Sequence, residues 1–189
     1  GFYSCNRSYP PRLVLADSLM DSHPDSVLTI LNEWADSINS KRKPVRMYYW
    51  LLLTKAQDKC FIEHTTDSIM MEVADYYRKH GTTEQKMEVL YYLGSIYRDL
   101  GDAPRAIDYY QRAARASERE REHKLLSLIY GQMGTLFFYQ GLEEEGANAY
   151  RKSFQHEVLL GDSTTLSNAY MDMARIHTSR SNVDSTIYY

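Results

Sequence analysis

The sequence predicts an all-α protein, an α-solenoid of stacked antiparallel helix pairs, and three observations lead to this fold class. Only 9 of the 189 residues are glycine and 5 are proline, so few positions interrupt a helix. Apolar residues recur at spacings of three and four over most of the chain, which is typical of helices with one buried face. A pattern of residues also returns after 40 positions, as in repeat proteins.

Composition narrows the function classes. Hydrophobic residues make up 43% of the chain and charged residues 25%, which are globular values and exclude a disordered or collagen-like chain. The net charge of −3 is too balanced for a dedicated binder of nucleic acid or of an anionic membrane surface. We therefore expect no nucleic-acid partner for this segment. No apolar run approaches the roughly 18 residues that are needed to span a bilayer.

The N-terminal part of the chain predicts a tail and two helix pairs. The tail covers residues 1–9, a degenerate pair covers 10–43, and a second pair covers 44–81. The four helices are predicted at 13–20, 27–38, 46–61 and 67–79. We expect Gly81 to cap the last of these helices, because glycine adopts the left-handed conformation of a helix end without strain.

Three copies of one pattern follow. They cover residues 82–121, 122–161 and 162–189, and the last copy is incomplete. Gly94, Gly134 and Ala174 hold the same place in the three copies, at intervals of 40 residues. A glycine inside a helix costs roughly 1 kcal/mol relative to alanine. We therefore expect Gly94 and Gly134 to be kept for contact, because the missing β-carbon lets a neighbouring helix approach closely.

Each copy predicts two helices joined by a turn, and the copy at 82–121 shows this most clearly. The apolar stripe of its first helix ends at Gly101, and Asp102 and Pro104 follow as a capping residue and a first-turn proline. Small and large side chains alternate along the second helix, at Ala106, Tyr110 and Ala113. About nine helices are expected over the whole chain.

These residues resemble the tetratricopeptide repeat, a helix-turn-helix unit of 34 residues. The matching positions in the clearest copy are Leu90, Leu93, Gly94, Tyr97, Gly101, Ala106, Tyr110 and Ala113. The copy at 122–161 departs at Gly146 and Ser153, and the copy at 162–189 matches only in part. The usual tryptophan and closing proline are missing, and each period is six residues longer. The resemblance implies a right-handed superhelix whose concave side is lined by the first helices and binds a protein or peptide partner.

The resemblance also implies which side chains face that groove. Carried over position by position, the groove residues are Tyr48, Lys55, Tyr91, Ser95, Arg98, Thr135, Phe138, Met171 and Arg175. Aromatic and arginine side chains are typical anchors of protein-binding surfaces. For Tyr91 and Phe138 the alternative is that they fill contacts between helices. The Lys/Asn/Arg clamp of chaperone-binding family members is not reproduced, so that ligand is not expected.

Motifs for catalysis or metal binding are absent from the sequence. No phosphate-binding glycine loop, HExxH or paired CxxC occurs, and no two of the six histidines are four residues apart. We expect no enzyme activity, no metal and no cofactor. The triplet at 143–145 is interpreted as acidic residues favoured by a helix N-terminus, and the basic segment at 41–43 as a solvated loop.

Both ends of the chain carry further expectations. A small residue before Cys5 resembles the end of a bacterial lipoprotein signal, so Cys5 is a candidate for lipidation, with an ordinary frayed terminus as the alternative. The stretches at 15–28 and 76–81 resemble envelope-associated repeat proteins of the Bacteroidetes. We therefore expect a location in the cell envelope, as a periplasmic protein or an anchored lipoprotein, and otherwise in the cytoplasm.

The last segment predicts that the natural protein continues beyond Tyr189, because the helix at 184–189 stops after about one turn. An incomplete last repeat leaves apolar residues uncovered, which favours a homodimer or docking of downstream chain. The predicted function is a non-catalytic interaction scaffold, possibly the sensor or regulatory part of a longer envelope protein. The alternative is a glycan-binding lipoprotein of the outer membrane that uses its tyrosines against sugars.

Overall fold

The computed structural model describes residues 9–116, 122–161 and 174, and within these ranges all regular structure is helical. The eight α-helices are α1 (Pro11–Leu19), α2 (Pro24–Asn32), α3 (Lys43–Lys59), α4 (Ser68–His80), α5 (Thr83–Asp99), α6 (Ala103–Ala116), α7 (His123–Tyr139) and α8 (Glu143–Leu160), and a short 3-10 helix covers Ile38–Ser40. The all-α prediction is therefore confirmed. The predicted incomplete repeat at 162–189 lies outside the described residues except for Ala174, which is helical.

The chain divides into two compact units, Gly1–His80 and Gly81–Tyr189. In the first unit α1 packs on α2 and α3, and α3 also contacts α4. Its core joins side chains from α1, α2, the 3-10 helix and α3. The fully buried members include Leu13, Met20, Val27, Leu31, Ile38, Tyr49 and Leu52.

The second helix is shorter than predicted. The expected helix at 27–38 ends at Asn32, and the chain then turns before the 3-10 helix begins at Ile38. Hydrogen bonds to the Trp34 carbonyl from the backbone N–H and the hydroxyl of Ser37 hold this turn. Ile38 is nevertheless buried. Periodicity placed Ile38 correctly in the core, but it did not distinguish a continuous helix from a tighter turn.

The predicted role of Gly81 is wrong. The positive-φ glycines of the described residues are Gly101, Gly141 and Gly161, and Gly81 is not among them. Thr82 instead begins the next helix with a capping box: its hydroxyl accepts from the Gln85 N–H, and the Gln85 side chain accepts from the Thr82 N–H. The end of α4 at His80 therefore leads directly into the start of α5.

The second unit consists of two helix pairs, α5–α6 and α7–α8, and α6 also packs against α7. The contacts run in opposite directions along α7 and α8, which makes the pair antiparallel. Successive contacts join Phe138 to Gly146, Thr135 to Tyr150, and His123 to His156. The antiparallel pairing predicted for residues 122–161 is therefore observed.

Both pairs close through the same turn. Gly101 and Gly141 have φ angles of 75° and 72°, a left-handed conformation that strains residues with a β-carbon. In each turn the N–H that follows the glycine donates back to a carbonyl of the first helix, from Asp102 to Tyr97 and from Leu142 to Phe137. Asp102 also caps α6, since its carboxylate accepts from the backbone N–H of Arg105 at 3.0 Å, as predicted.

The helix-interior glycines allow the close approach that the sequence predicts. A β-carbon added to Gly94 would lie 2.5 Å from Cε1 of Tyr110, and one added to Gly134 would lie 2.8 Å from Cδ1 of Tyr150. Real β-carbons essentially never come within 3.0 Å of another heavy atom. Each glycine therefore makes room for a tyrosine of the partner helix, at equivalent positions of the two repeats.

Candidate functional site

Two of the predicted groove residues on α5 are buried, and their assignment to an open groove is wrong. Tyr91 is 3% exposed, and its ring centroid lies 5.5 Å from that of Tyr110 on α6. Ser95 is fully buried, with its Oγ 3.2 Å from the Tyr110 hydroxyl oxygen. The physical reason is the neighbouring Gly94, which brings the Tyr110 ring close enough to contact both side chains.

The equivalent residues on α7 also face their own second helix. The Oγ1 of Thr135 lies 2.9 Å from the Tyr150 hydroxyl oxygen and donates to the Gly131 carbonyl at 3.2 Å. The ring of Phe138 stacks on Tyr150 at 5.6 Å and covers Gly146, where a β-carbon would come within 2.7 Å of it. Thr135 and Phe138 are half-buried. The structure thus places Phe138 in helix packing, which was the alternative for this residue.

Arg98 keeps part of its side chain at the surface. Its Nε and Nη2 donate to the Asp99 carboxylate at 2.9 and 2.8 Å, and its Nη1 donates to Gln132 Oε1 at 3.2 Å. The last bond joins the first helices of successive repeats, α5 and α7. The side chain of Arg98 is 29% exposed. Leu128, one turn before Gln132 on α7, is 43% exposed. We call the surface formed by Arg98, Leu128 and Gln132 the α5/α7 face.

In the first unit the two predicted groove residues of α3 meet at one carboxylate of α1. The Tyr48 hydroxyl donates to Asp17 Oδ2 at 2.8 Å, and Lys55 Nζ lies 3.9 Å from Asp17 Oδ1. One turn further on, Lys59 Nζ lies 2.9 Å from Asp21. The polar side of α3 is therefore engaged with α1. The structure brings Tyr48 and Lys55 together as predicted neighbours, and both remain half-buried.

Three predicted residues lie outside the described part of the chain. They are Met171 and Arg175, expected in the groove, and Cys5, expected to carry a lipid. Of the two cysteines only Cys60 is described, and it is a free thiol. In the described residues, no helix is long and apolar enough to cross a membrane.

The basic segment at 41–43 is exposed, as predicted, and borders a cleft of the first unit. The cleft has a volume of about 510 Å³, and its lining residues are Tyr9, Pro10, Pro11, Trp34, Ser40, Lys41, Arg42 and Val45. Lys41 Nζ lies over the Trp34 ring, 5.5 Å from its centroid. Tyr9, placed by the sequence in the tail, packs on Tyr48 with ring centroids 4.2 Å apart.

Titratable groups give little sign of catalytic chemistry. Across residues 9–116 and 122–161 no group of three or more His, Cys, Asp or Glu side chains is placed to hold a metal ion. Burial raises the pKa of the Tyr77 hydroxyl above its ordinary value. The backbone N–H and guanidinium of Arg105 lower the pKa of Asp102, as expected for a helix cap. The acidic triplet at 143–145 occupies the first turn of α8, as predicted.

The comparisons with known proteins agree with this geometry. Residues 85–156 match the family model described as tetratricopeptide repeat, and this range includes most of α5 and α8 and all of α6 and α7. The family resemblance is therefore confirmed for these two helix pairs. No curated protein matches the chain.

Two solved structures share the fold. BtubC (BKLC) from P. vanneervenii has a TM-score of 0.63 and 14% identity, over 93% of this chain and 68% of that one. A Signal Transduction ATPase with Numerous Domains (STAND) protein with a tetratricopeptide repeat sensor, from Pyrococcus horikoshii, also has a TM-score of 0.63, with 18% identity over 93% of this chain. This chain spans only 28% of the STAND protein. At these identities the likeness concerns the fold alone, and it confirms the predicted α-solenoid class.

Proposed function

We propose that this chain, whose residues 85–156 match the tetratricopeptide repeat, is a non-catalytic interaction module that binds a peptide or protein segment on its α5/α7 face. The observation that carries the proposal is the family match over both helix pairs of the second unit. The first helices of these pairs are joined at the surface by the bond from Arg98 to Gln132. The repeat in the STAND protein is named a sensor, which agrees with a role in recognition.

The chemistry of the face indicates the kind of segment it would bind. Arg98 carries a permanent positive charge, and its guanidinium has five N–H donors, which suit a carboxylate or backbone carbonyls. Leu128 offers an exposed apolar side chain one turn away. Tyr139 is 82% exposed at the end of the same helix. Partly exposed arginine and aromatic groups beside an apolar residue are typical anchors for a protein partner.

Site-specific photocrosslinking tests the position of this face. A photoreactive residue at Leu128 is expected to crosslink a partner, whereas one at Gln155, which is exposed on the second helix α8, is expected to remain unlinked. The captured segment is then synthesised, and its affinity is measured for Leu128→Glu and for the matched control Gln155→Glu. We expect at least a tenfold loss for Leu128→Glu alone, about 1.4 kcal/mol. Equal affinities for the two variants would contradict the proposed face.

The envelope location, the lipid on Cys5 and the homodimer are proposals of the sequence. Metabolic labelling with a radioactive fatty acid, compared between the natural protein and Cys5→Ser, tests the lipid. Light scattering in solution tests the dimer. A regulatory role within a longer envelope protein depends on the first of these results, because a lipid anchor is what would hold the module at the membrane.

A further inference from the structure

We propose that His123 and His156 form a two-histidine site for a divalent first-row transition-metal ion, with Ni²⁺ and Zn²⁺ as the probes. His123 is the first residue of α7, and His156 lies in the last part of α8. Their Nδ1 atoms are 3.0 Å apart, and both side chains are partly buried. The site is independent of the proposed peptide-binding face.

The separation of the two nitrogens fits a shared metal ion. Imidazole nitrogens bind such ions at about 2.0–2.1 Å. Two ligands at 90° to each other, the cis arrangement in tetragonal Ni²⁺ or Cu²⁺ complexes, are then about 2.9 Å apart. A tetrahedral Zn²⁺ would place them about 3.3 Å apart, so the rings would need to separate by only about 0.3 Å. The observed distance of 3.0 Å therefore accommodates a cis pair with little movement.

The same distance also fits a hydrogen bond, which is the metal-free state of the pair. A neutral imidazole carries one N–H, so one Nδ1 donates and the other accepts. When a metal binds, the donating ring carries its proton on Nε2 instead, and both Nδ1 lone pairs face the ion. No proton leaves a neutral pair in this exchange. The metal replaces the shared hydrogen, and the two ring nitrogens remain in place.

The surroundings hold the rings in position. The Tyr130 ring is parallel to that of His156, with an interplanar angle of 1° and centroids 5.8 Å apart. Lys152 Nζ lies over the Tyr130 ring at 5.1 Å from its centroid. Since the described residues offer no cluster of three ligands, two protein nitrogens hold the ion and water completes its coordination. Imidazole ligands favour Zn²⁺, Ni²⁺ and Cu²⁺ over Mg²⁺, which prefers oxygen.

Calorimetric titration of the full chain, prepared without a histidine tag, tests the site. We expect one Ni²⁺ or Zn²⁺ per chain and no binding of Mg²⁺. His123→Ala and His156→Ala should each lower the affinity about a hundredfold, because loss of one ligand removes the chelate. His80→Ala is the matched control, since His80 is exposed on α4, and it should bind like the natural protein.

A second readout separates a metal site from a merely structural histidine pair. At a metal concentration a hundredfold above the dissociation constant, the ratio of folded to unfolded natural protein should rise about 100-fold, whereas that of His156→Gln should not change. Glutamine keeps a polar side chain and protects against a folding defect. Absence of binding by the natural protein, or equal binding by the His123 and His156 variants, overturns the proposal and leaves the pair as a hydrogen bond.

Discussion

Substituting Gly94 by alanine tests the central packing contact of the repeats. The new β-carbon would lie 2.5, 2.6 and 2.9 Å from three atoms of the Tyr110 ring, which is fully buried. Overpacking of this kind costs about 1–3 kcal/mol. Displacing the ring also weakens the contact between its hydroxyl and Ser95, worth about 1 kcal/mol. Alanine favours the helix by about 1 kcal/mol relative to glycine, so the net loss is about 1–3 kcal/mol.

Gly131→Ala is the matched control within the same unit. A β-carbon there would lie 3.5 Å from the Ser153 Oγ, an ordinary contact. We therefore expect Gly131→Ala to gain up to about 1 kcal/mol from helix propensity alone. Urea denaturation followed by circular dichroism measures both free energies of unfolding, with equal m-values as the condition for comparison. If Gly94→Ala were as stable as Gly131→Ala, the close approach of α5 and α6 would not be the reason for the glycine.

Two further predictions concern the hydroxyl contacts and the helix cap. Tyr110→Phe should cost about 1–3 kcal/mol, because it removes the partner of the buried Ser95 hydroxyl, whereas Tyr150→Phe should cost less, since Thr135 keeps its bond to a backbone carbonyl; thermal unfolding of both variants compares them, and equal losses would refute the distinction. Asp102 has a lowered folded-state pKa, so its contribution to stability is present above the unfolded pKa of about 3.9 and is lost as pH falls through the folded value. The difference in unfolding free energy between the natural protein and Asp102→Asn should therefore shrink in acid, and a difference independent of pH would contradict this.

The sequence was sufficient for the features that depend on local geometry. Gly94 and Gly134 predicted a close helix contact because only a residue without a β-carbon permits one, and the structure contains that contact twice. Gly101 and Gly141 predicted the turns for a similar reason, since their positive φ angles favour glycine. In each case one residue type meets one steric requirement, so the inference needs no knowledge of distant parts of the chain.

Contacts between helices were harder to predict. Ser95 was assigned to an open groove by its position in the repeat, but periodicity does not show how far a tyrosine from the next helix reaches. His123 and His156 were missed because a search for histidines four residues apart covers only a single helix. The signal was available in the predicted hairpin: these residues stand at similar distances on either side of Gly141, so an antiparallel pair brings them level.

The tyrosine contacts in the second unit have a consequence for how the chain folds. Ser95 and Tyr110, like Thr135 and Tyr150, are only 15 residues apart. Interactions this local require little loop-closure entropy, so each hairpin can assemble early and quickly, before the stack is complete. Hydrogen exchange should then show α5–α6 and α7–α8 opening as separate cooperative blocks, in the manner of a one-dimensional chain of coupled units.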